Sequence, residues 1–285
     1  MVLYRDKNTR LTHASIDCIA TKFKKGCGSL LAGIGLLFTP LCLAAPDTLK
    51  IAYSNVESFP YFLERSHSIP KDPGISVEII LMACKELNIQ ADLIRLPGKR
   101  VLASIKDNKI DGAFLFSYKP ERALVSTYPM IEGKPNSYLK MDTISYFFYK
   151  LKGSPVNWLD GKLSHVDYVG VNLGFSVISD IKKMGLGIKE VQSPMESLQI
   201  LLNQRVPVVV AQEYPFQRYW GAHTDKIEKL HPAVRTKDYF FIFSREFFME
   251  NTSFAKQFWL KVTDVRKREY PKLVKKYLNL HPKPH

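Results

Sequence analysis

Two cations, Lys119 and Arg122, directly follow an apolar run of the kind that forms a buried strand. The run is Ala113–Phe116, and it ends at Ser117 before the chain reads Tyr-Lys-Pro-Glu-Arg. A strand end that faces water needs only a turn, so two cations around a proline indicate a strand end that faces a ligand. The alternative is a surface ion pair between Arg122 and an acid such as the adjacent Glu121.

The elements before this motif predict a parallel sheet. Strand-like runs lie at 48–54, 91–97 and 110–116, and the stretches 75–89 and 99–108 have helical periodicity. This alternation predicts a mostly parallel sheet with right-handed crossovers. Because ligands of such sheets bind at the carboxyl ends of the strands, the two cations stand at the edge where a ligand is expected.

A second unit of the same kind follows. The segment 142–151 predicts a long strand, and 166–185 reads as a strand, a turn and a helix. A strand at 187–193, an amphipathic helix at 194–205 and a strand running into a helix at 206–220 complete the unit. The sequence therefore predicts two similar α/β units, without an exact repeat.

The C-terminal part predicts one extended segment and one long helix. The extended segment is 237–247, and the helix covers 252–270. Apolar residues at helical spacing predict the buried face of that helix: Phe254, Phe258, Val262 and Val265.

The N-terminus predicts a secretory signal. Lys22, Lys24 and Lys25 precede an uncharged stretch, 26–46, that has an apolar centre and ends in small residues. A positive segment, a short apolar segment and a small-residue end are typical of a cleaved signal, with cleavage predicted after Ala44. The stretch is also just long enough to span a bilayer, so a retained membrane anchor is the alternative.

The charge, the cysteines and the histidines of the sequence argue against several classes of function. The chain of 285 residues carries a formal net charge of +14, but its cations are spread along the sequence, which disfavours nucleic-acid binding. Only Cys84 of the 4 cysteines lies beyond the predicted cleavage site, so no internal disulfide is expected. The 7 histidines have no metal-ligand spacing. We therefore expect no metal and no cofactor.

Several segments in order resemble a known family. They are LKIAYSNVESFPYF, GISVEII, KIDGAFLFSYKPERA with YPM, VGVNLGFS and YFFIFSRE. In this order and spacing, over nearly the whole mature chain, the sequence resembles the bacterial extracellular solute-binding proteins of the amino-acid-receptor type (family 3). That family has the type II periplasmic binding protein fold.

The resemblance implies an α/β protein of two lobes. Each lobe has a mostly parallel sheet flanked by helices, and a two-strand hinge joins them. The first lobe would comprise 45–142 plus 241–285, and the second 145–236. The hinge would lie near 143–145 and 238–240, with the ligand between lobes that close over it.

The resemblance also assigns a role to the opening motif. In the family a Ser-x-Thr-x-x-Arg pattern follows the third strand, and its Arg binds the ligand carboxylate. Here Ser117 and Arg122 match that pattern, and a guanidinium can bind a carboxylate through two parallel hydrogen bonds. Lys119 replaces the threonine, and it would either add a second positive contact or point to solvent.

The second lobe has a matching turn and one departure. Ser176, with the backbone of Phe175, stands where the family presents a hydroxyl and N–H groups to an anion; a plain helix cap is the alternative. After the strand at 206–212 the family often has an Asp that holds the ligand's α-ammonium group. Gln212 stands there, with Glu213 beside it. Either Glu213 substitutes, or the ligand lacks the usual amino group.

Three further residues complete the predicted site. Phe59 and Tyr61 stand where the family lines the cleft with rings, although packing in the core or a loop is the alternative. Arg100, at the start of its helix, is an additional basic candidate. No catalytic residue is predicted.

The resemblance implies a monomeric periplasmic receptor, and no enzyme. It would capture a small carboxylate-bearing solute, an amino acid or a related compound, and deliver it to the permease of an ABC transporter. A sensor that docks on a membrane signalling partner would use the same cleft. The third interpretation is a dehydratase-like enzyme with this fold. The spacing of the residues predicts no nucleophile–base pair, however, and Glu213 is the one acid at a suitable position.

Overall fold

A computed structural model describes residues 46–63 and 69–280, which all belong to one compact unit, Leu43–His285. The predicted signal, 1–44, lies outside the described residues. Within the described ranges, no helix is both long enough and apolar enough to cross a membrane.

Strands and helices alternate through most of the chain. The strands are β1 (Thr48–Ser54), β2 (Gln90–Leu96), β3 (Gly112–Ser117), β4 (Met130–Ile131), β5 (Lys134–Pro135), β6 (Asp142–Leu151), β7 (Asn157–Leu159), β8 (Lys162–Ser164), β9 (Tyr168–Asn172), β10 (Gly187–Val191), β11 (Val208–Gln212) and β12 (Ile227–Phe243). The helices are α1 (Ile75–Glu86), α2 (Gly98–Lys106), α3 (Pro120–Ala123), α4 (Ile178–Lys183), α5 (Pro194–Leu202), α6 (Glu213–Trp220), α7 (Arg245–Glu250) and α8 (Thr252–Leu280).

The main sheet repeats one arrangement twice. Its order is β10-β9-β11-β6-β12-β3-β1-β2. In the first half-sheet (β2, β1, β3) and in the second half-sheet (β10, β9, β11) all neighbours are parallel. The long strands β6 and β12 pair antiparallel with each other and with the adjoining half-sheets. The two predicted α/β units are thus present, and β6 and β12 are the crossings between them.

The core residues explain why these segments form these elements. On one side of the first half-sheet, α1 and α8 bury their apolar faces against the strands, and the predicted face of α8 is fully inside this cluster. Cys84, on the apolar face of α1, is buried and unpaired. α2 covers the opposite side with Val101 and Ile105. Two further apolar clusters cover the two sides of the second half-sheet.

The C-terminal region differs from its prediction at three points. β12 begins at Ile227, well before the expected extended segment, because Ile227–Leu230 and Arg235–Tyr239 pair with β6 on either side of a register shift. The end of the predicted extended segment instead enters α7, whose first turn is capped by the Ser244 hydroxyl accepting from Phe247 N–H at 3.3 Å. α8 continues through Pro271 because Leu273 and Tyr277 beyond it are buried.

Asp142, the first residue of β6, is a buried carboxylic acid at the start of one crossing. It accepts hydrogen bonds from the Tyr270 hydroxyl at 2.8 Å and from Thr143 N–H at 2.7 Å. Burial nevertheless raises the pKa of Asp142 to about 6. The folded protein therefore binds more protons here than the unfolded chain, in which an Asp has a pKa of about 3.9.

We expect Asp142 to make stability depend on pH. Its contribution is fully present below the unfolded pKa and is lost as pH rises through the folded pKa of about 6. Urea denaturation of wild type and Asp142→Asn at pH 4.5 and pH 7.5 measures this. The free energy of unfolding of wild type, relative to the variant, should fall by about 2 kcal/mol between the two pH values. A difference that does not change with pH would contradict the assignment.

Candidate functional site

A cavity of about 320 Å³ lies where strand ends from both half-sheets meet. Its lining includes Ser54, Ser117, Asn172 and Gln212, which are the last residues of β1, β3, β9 and β11. These four strands run parallel to their neighbours within each half-sheet. The cavity thus occupies the edge at which open α/β sheets bind ligands.

Arg122 reaches this cavity from α3 and contacts both the end of β3 and the turn after β9. One guanidinium nitrogen donates to the main-chain oxygen of Ser117 at 2.9 Å and to its Oγ at 3.1 Å. The other donates to the Gly174 oxygen, beyond β9, at 3.2 Å. The guanidinium also lies 5.6 Å from the centre of the Phe116 ring. Since a guanidinium has five N–H donors, these bonds leave donors for an anion.

Gln212 is fixed by two tyrosines from the crossing strands. Its Nε2 donates to the hydroxyls of Tyr146 on β6 and Tyr239 on β12, both at 3.0 Å. The two hydroxyls also bond to each other. Burial raises the pKa of both phenols, so they remain neutral at any physiological pH. All three residues line the cavity, so the second half-sheet and both crossings share one polar cluster at its wall.

The end of β9 and the turn after it supply two buried polar residues to the lining. Asn172 Oδ1 accepts from the Ser197 hydroxyl at 3.2 Å, whereas its Nδ2 has no hydrogen-bond partner among the described residues. The Ser176 hydroxyl lies near Tyr146 and Tyr239 and lowers their pKa slightly against the effect of burial, but it makes no hydrogen bond of good geometry within residues 46–63 and 69–280. The Phe175 N–H is used within the turn, donating to the Asn172 oxygen at 3.1 Å. Buried groups without partners are costly, and a ligand could satisfy them.

Four of the nine predicted site residues line the cavity: Ser117, Arg122, Ser176 and Gln212. The other five lie elsewhere. Glu213 pairs with Lys229 at 2.8 Å, and Lys119 pairs with Glu121 at 3.3 Å. Glu121 therefore pairs with Lys119, and the alternative ion pair between Glu121 and Arg122 does not form.

The predicted aromatic and additional basic candidates also lie outside the lining. Phe59 and Tyr61 are buried in the core of the first half-sheet, which matches the packing alternative. Arg100 is exposed on α2. The cavity lining contains Phe62 in place of the two predicted aromatic residues. It contains Lys99, one residue before Arg100, in place of the predicted arginine.

Sequence reasoning did not identify several lining residues. They include Glu57 in the loop after β1 and the tyrosine pair, Tyr146 and Tyr239. Glu57 forms an ion pair with Arg218 of α6 at 3.2 Å, and the Arg218 guanidinium lies 5.1 Å from the centre of the Phe59 ring. Glu57 follows the end of a predicted strand, as Arg122 does, so its position in the sequence indicates a place beside the cavity. No local pattern marked the tyrosines.

The cationic character of this region extends beyond the lining. Lys237 on β12 donates to the Ser176 main-chain oxygen at 3.1 Å and pairs with Asp180. Burial lowers the pKa of Lys237, and the charges of Lys119 and Arg122 lower it further, against the effect of Asp180. Three cations therefore influence one another beside the cavity, which favours an anion there.

No family model matches the sequence, and no curated protein does. Solved structures match well. The substrate-binding protein of an amino acid ABC transporter shares 14% identity at a TM-score of 0.60, over 81% of this chain and 99% of that one. The GluR0 ligand-binding core from Nostoc punctiforme, in complex with L-glutamate, shares 16% identity at a TM-score of 0.61, over 81% and 99%.

A third solved structure is a histidine kinase sensor domain with similarity to periplasmic binding proteins. It shares 12% identity at a TM-score of 0.65, over 82% of this chain and 96% of that one. Likeness at such identities shows the fold. The predicted fold class, a two-lobed α/β protein of the type II periplasmic binding kind, is therefore confirmed.

Proposed function

We propose that this chain, which has the type II periplasmic binding protein fold, is a receptor that captures a small carboxylate-bearing solute between its two lobes. One observation carries the proposal. The last residues of four parallel strands, two from each half-sheet, line a single cavity, and Arg122 contacts both sides of it. In this reading Arg122 binds the ligand carboxylate, and Ser117, Ser176 and Gln212 add hydrogen bonds.

The lobe boundaries belong to the same proposal. The first lobe comprises 45–142 plus 241–285, the second comprises 145–236, and the hinge lies near 143–145 and 238–240. Contacts across the cleft support closure over the ligand. Besides the bond from Arg122 to Gly174, the ion pair between Glu57 and Arg218 joins the loop after β1 to α6.

The proposed setting is the periplasm, reached through a signal cleaved after Ala44. The monomeric receptor would deliver its solute to the permease of an ABC transporter. The likeness to the substrate-binding protein of an amino acid ABC transporter supports this reading. Binding without catalysis is proposed because Glu57, the one carboxylate among the described lining residues, is already paired with Arg218.

A second candidate function is ligand sensing for a membrane signalling partner. The likeness to a histidine kinase sensor domain favours it, because the same fold serves there without a transporter. Both candidates use the same cavity, so binding alone does not separate them. A permease or a signalling protein encoded beside this gene would do so.

Binding and closure can be measured together. A thermal-shift screen of small organic acids and amino acids should yield a ligand that raises the melting temperature, since saturation at 100 times Kd adds about 2.7 kcal/mol to stability. Small-angle scattering with that ligand should give a smaller radius of gyration than without it. A tight ligand that leaves the radius unchanged would contradict closure, and a screen without any binder would contradict the receptor proposal.

A further inference from the structure

The charges around the cavity are unequal. Lys99 and Arg122 line it as cations, and Lys99 makes no ion pair within the described part of the chain. The one carboxylate among the described lining residues, Glu57, is half of the ion pair with Arg218 at 3.2 Å. Its buried Oε1 accepts no hydrogen bond of good geometry from the described residues, but the adjacent guanidinium balances its charge. An anion therefore meets two cations here, whereas an ammonium group finds no carboxylate that is not already neutralised.

The acids that lie near the cavity, on helices beside the second half-sheet, also form ion pairs. Glu213 directly follows Gln212, but its carboxylate pairs with Lys229 at 2.8 Å. Asp180 on α4 pairs with Lys237 and with Arg235, the latter at 3.2 Å. Neither acid is part of the lining. Moving either carboxylate into the cavity would leave its lysine partly buried without a counter-charge, which is unfavourable.

Gln212 itself offers a neutral group in a fixed orientation. Its amide nitrogen is used by Tyr146 and Tyr239, so its carbonyl oxygen is the part left for a ligand. Only one proton joins the two tyrosine hydroxyls, so the cluster retains one further O–H donor. A carbonyl acceptor and a hydroxyl donor suit a hydroxyl, a carbonyl or a carboxylate oxygen. Burying an ammonium against them without an opposite charge is costly.

The rest of the wall is largely apolar. Phe62 from the loop after β1, Leu102 from α2, and Phe114, Leu115 and Phe116 from β3 all belong to the lining. Such a wall removes the apolar body of a ligand from water, which is the main favourable contribution to binding an apolar group. The wall therefore selects for an apolar body attached to the anionic group.

We propose that the preferred ligand is a carboxylate with an apolar body and no ammonium group, so that an α-amino acid binds less well than its deaminated counterpart. This inference rests on the proposed function and deepens it. The carboxylate would lie against Arg122, with Lys99 reinforcing the positive potential. An ammonium group on the ligand would need a negative charge beside it. The neutral cluster of Gln212, Tyr146 and Tyr239 would lie there instead.

Matched pairs of acids test the proposal directly. Calorimetric titration would compare 3-phenylpropanoate with L-phenylalanine, 4-methylpentanoate with L-leucine, and pentanoate with L-norvaline. Each pair has the same carbon skeleton and differs only in the amino group. For the pairs that bind, the deaminated acid should bind at least about tenfold more tightly, which corresponds to about 1.4 kcal/mol. Equal binding, or tighter binding of the amino acid, would overturn the inference and leave the receptor function standing. If no acid in either form binds, both fail.

Three variants locate the effect. Gln212→Glu, measured at pH 8, places a negative charge at the cluster and should shift the ratio of affinities at least about tenfold toward the amino acid. Gln199→Glu adds the same charge on the exposed face of α5, outside the cavity lining, and should leave that ratio within about twofold of the wild-type value. A loss of amino-acid binding specific to Glu57→Gln would show that Glu57 holds an ammonium, which would overturn the proposal. The wild-type pairs decide the question even if a variant does not fold.

Discussion

Arg122→Ala is expected to weaken binding of an anionic ligand by about 30- to 4,000-fold. The guanidinium is held at the cavity by two bonds to Ser117 and one to Gly174, so it is positioned before a ligand arrives. Removing one partner from a desolvated charge pair costs about 2–5 kcal/mol because the other charge is left unpaired. Calorimetric titration measures the loss. Arg122→Lys should recover only part of the affinity, because an ammonium cannot form two parallel bonds to a carboxylate.

Arg205→Ala is the matched control for this loss. Arg205 is an exposed arginine in the turn before β11, and it is outside the cavity lining. Its removal changes the net charge equally, so it should alter binding by less than about twofold through long-range electrostatics, which salt screens. If Arg122→Ala binds as wild type does, or no worse than Arg205→Ala, Arg122 does not contact the ligand.

Gly74→Ala is expected to destabilise the protein by about 2–5 kcal/mol. Gly74 precedes α1 with a φ of 108°, and an added Cβ would lie 2.5 Å from both Phe62 Cα and the Tyr61 oxygen. The strained backbone costs about 1–3 kcal/mol and the overpacking a similar amount. The displaced backbone leads directly to Phe62 at the cavity wall, so ligand affinity should fall as well. Urea denaturation and calorimetry measure the two effects.

Gly133→Ala separates the two causes in Gly74→Ala. Gly133, in the turn between β4 and β5, also has a positive φ, 74°, but apart from its chain neighbours no atom of the described part lies within 4 Å of an added Cβ. Gly133→Ala should therefore lower the free energy of unfolding only by the cost of the left-handed backbone, about 1–2 kcal/mol. Equal losses in the two variants would contradict the packing explanation.

The regular elements were largely predictable from apolar periodicity. β6 has the predicted bounds, Asp142–Leu151, and the buried face of α8 holds the four predicted residues. The alternation of strands and helices also predicted the parallel order of both half-sheets. These features follow from local patterns, because a strand or helix that packs on one side repeats its apolar residues at its own period.

Two elements were not predicted from the sequence, for different physical reasons. The first part of β12 carries His231, Pro232 and several charged residues, so its alternation is broken, and pairing with β6 alone defines it. The hairpin of β7 and β8 turns at Asp160 and Gly161, both with positive φ. Asp-Gly is a preferred two-residue turn of β-hairpins, so these two residues by themselves indicate the hairpin.

The cavity lining was predictable where it follows strand ends. Ser117 and Gln212 end β3 and β11, and both line the cavity. Sequence position alone could not show which of two neighbours faces inward, and Glu213 begins α6 and turns to Lys229. Tyr146 and Tyr239 are 93 residues apart, inside long strands rich in other buried aromatic residues. Only the pairing of β6 with β12 brings them together.

A crystal structure with the tightest-binding carboxylate tests the central claim most directly, because it shows where the solute lies. The account predicts the ligand in the cavity between the half-sheets, with its carboxylate about 2.7–2.9 Å from the Arg122 guanidinium nitrogens. It also predicts the ligand's apolar body against Phe62 and Phe116, and no ligand ammonium at Gln212. A ligand bound elsewhere, with this cavity holding only water, would contradict the account.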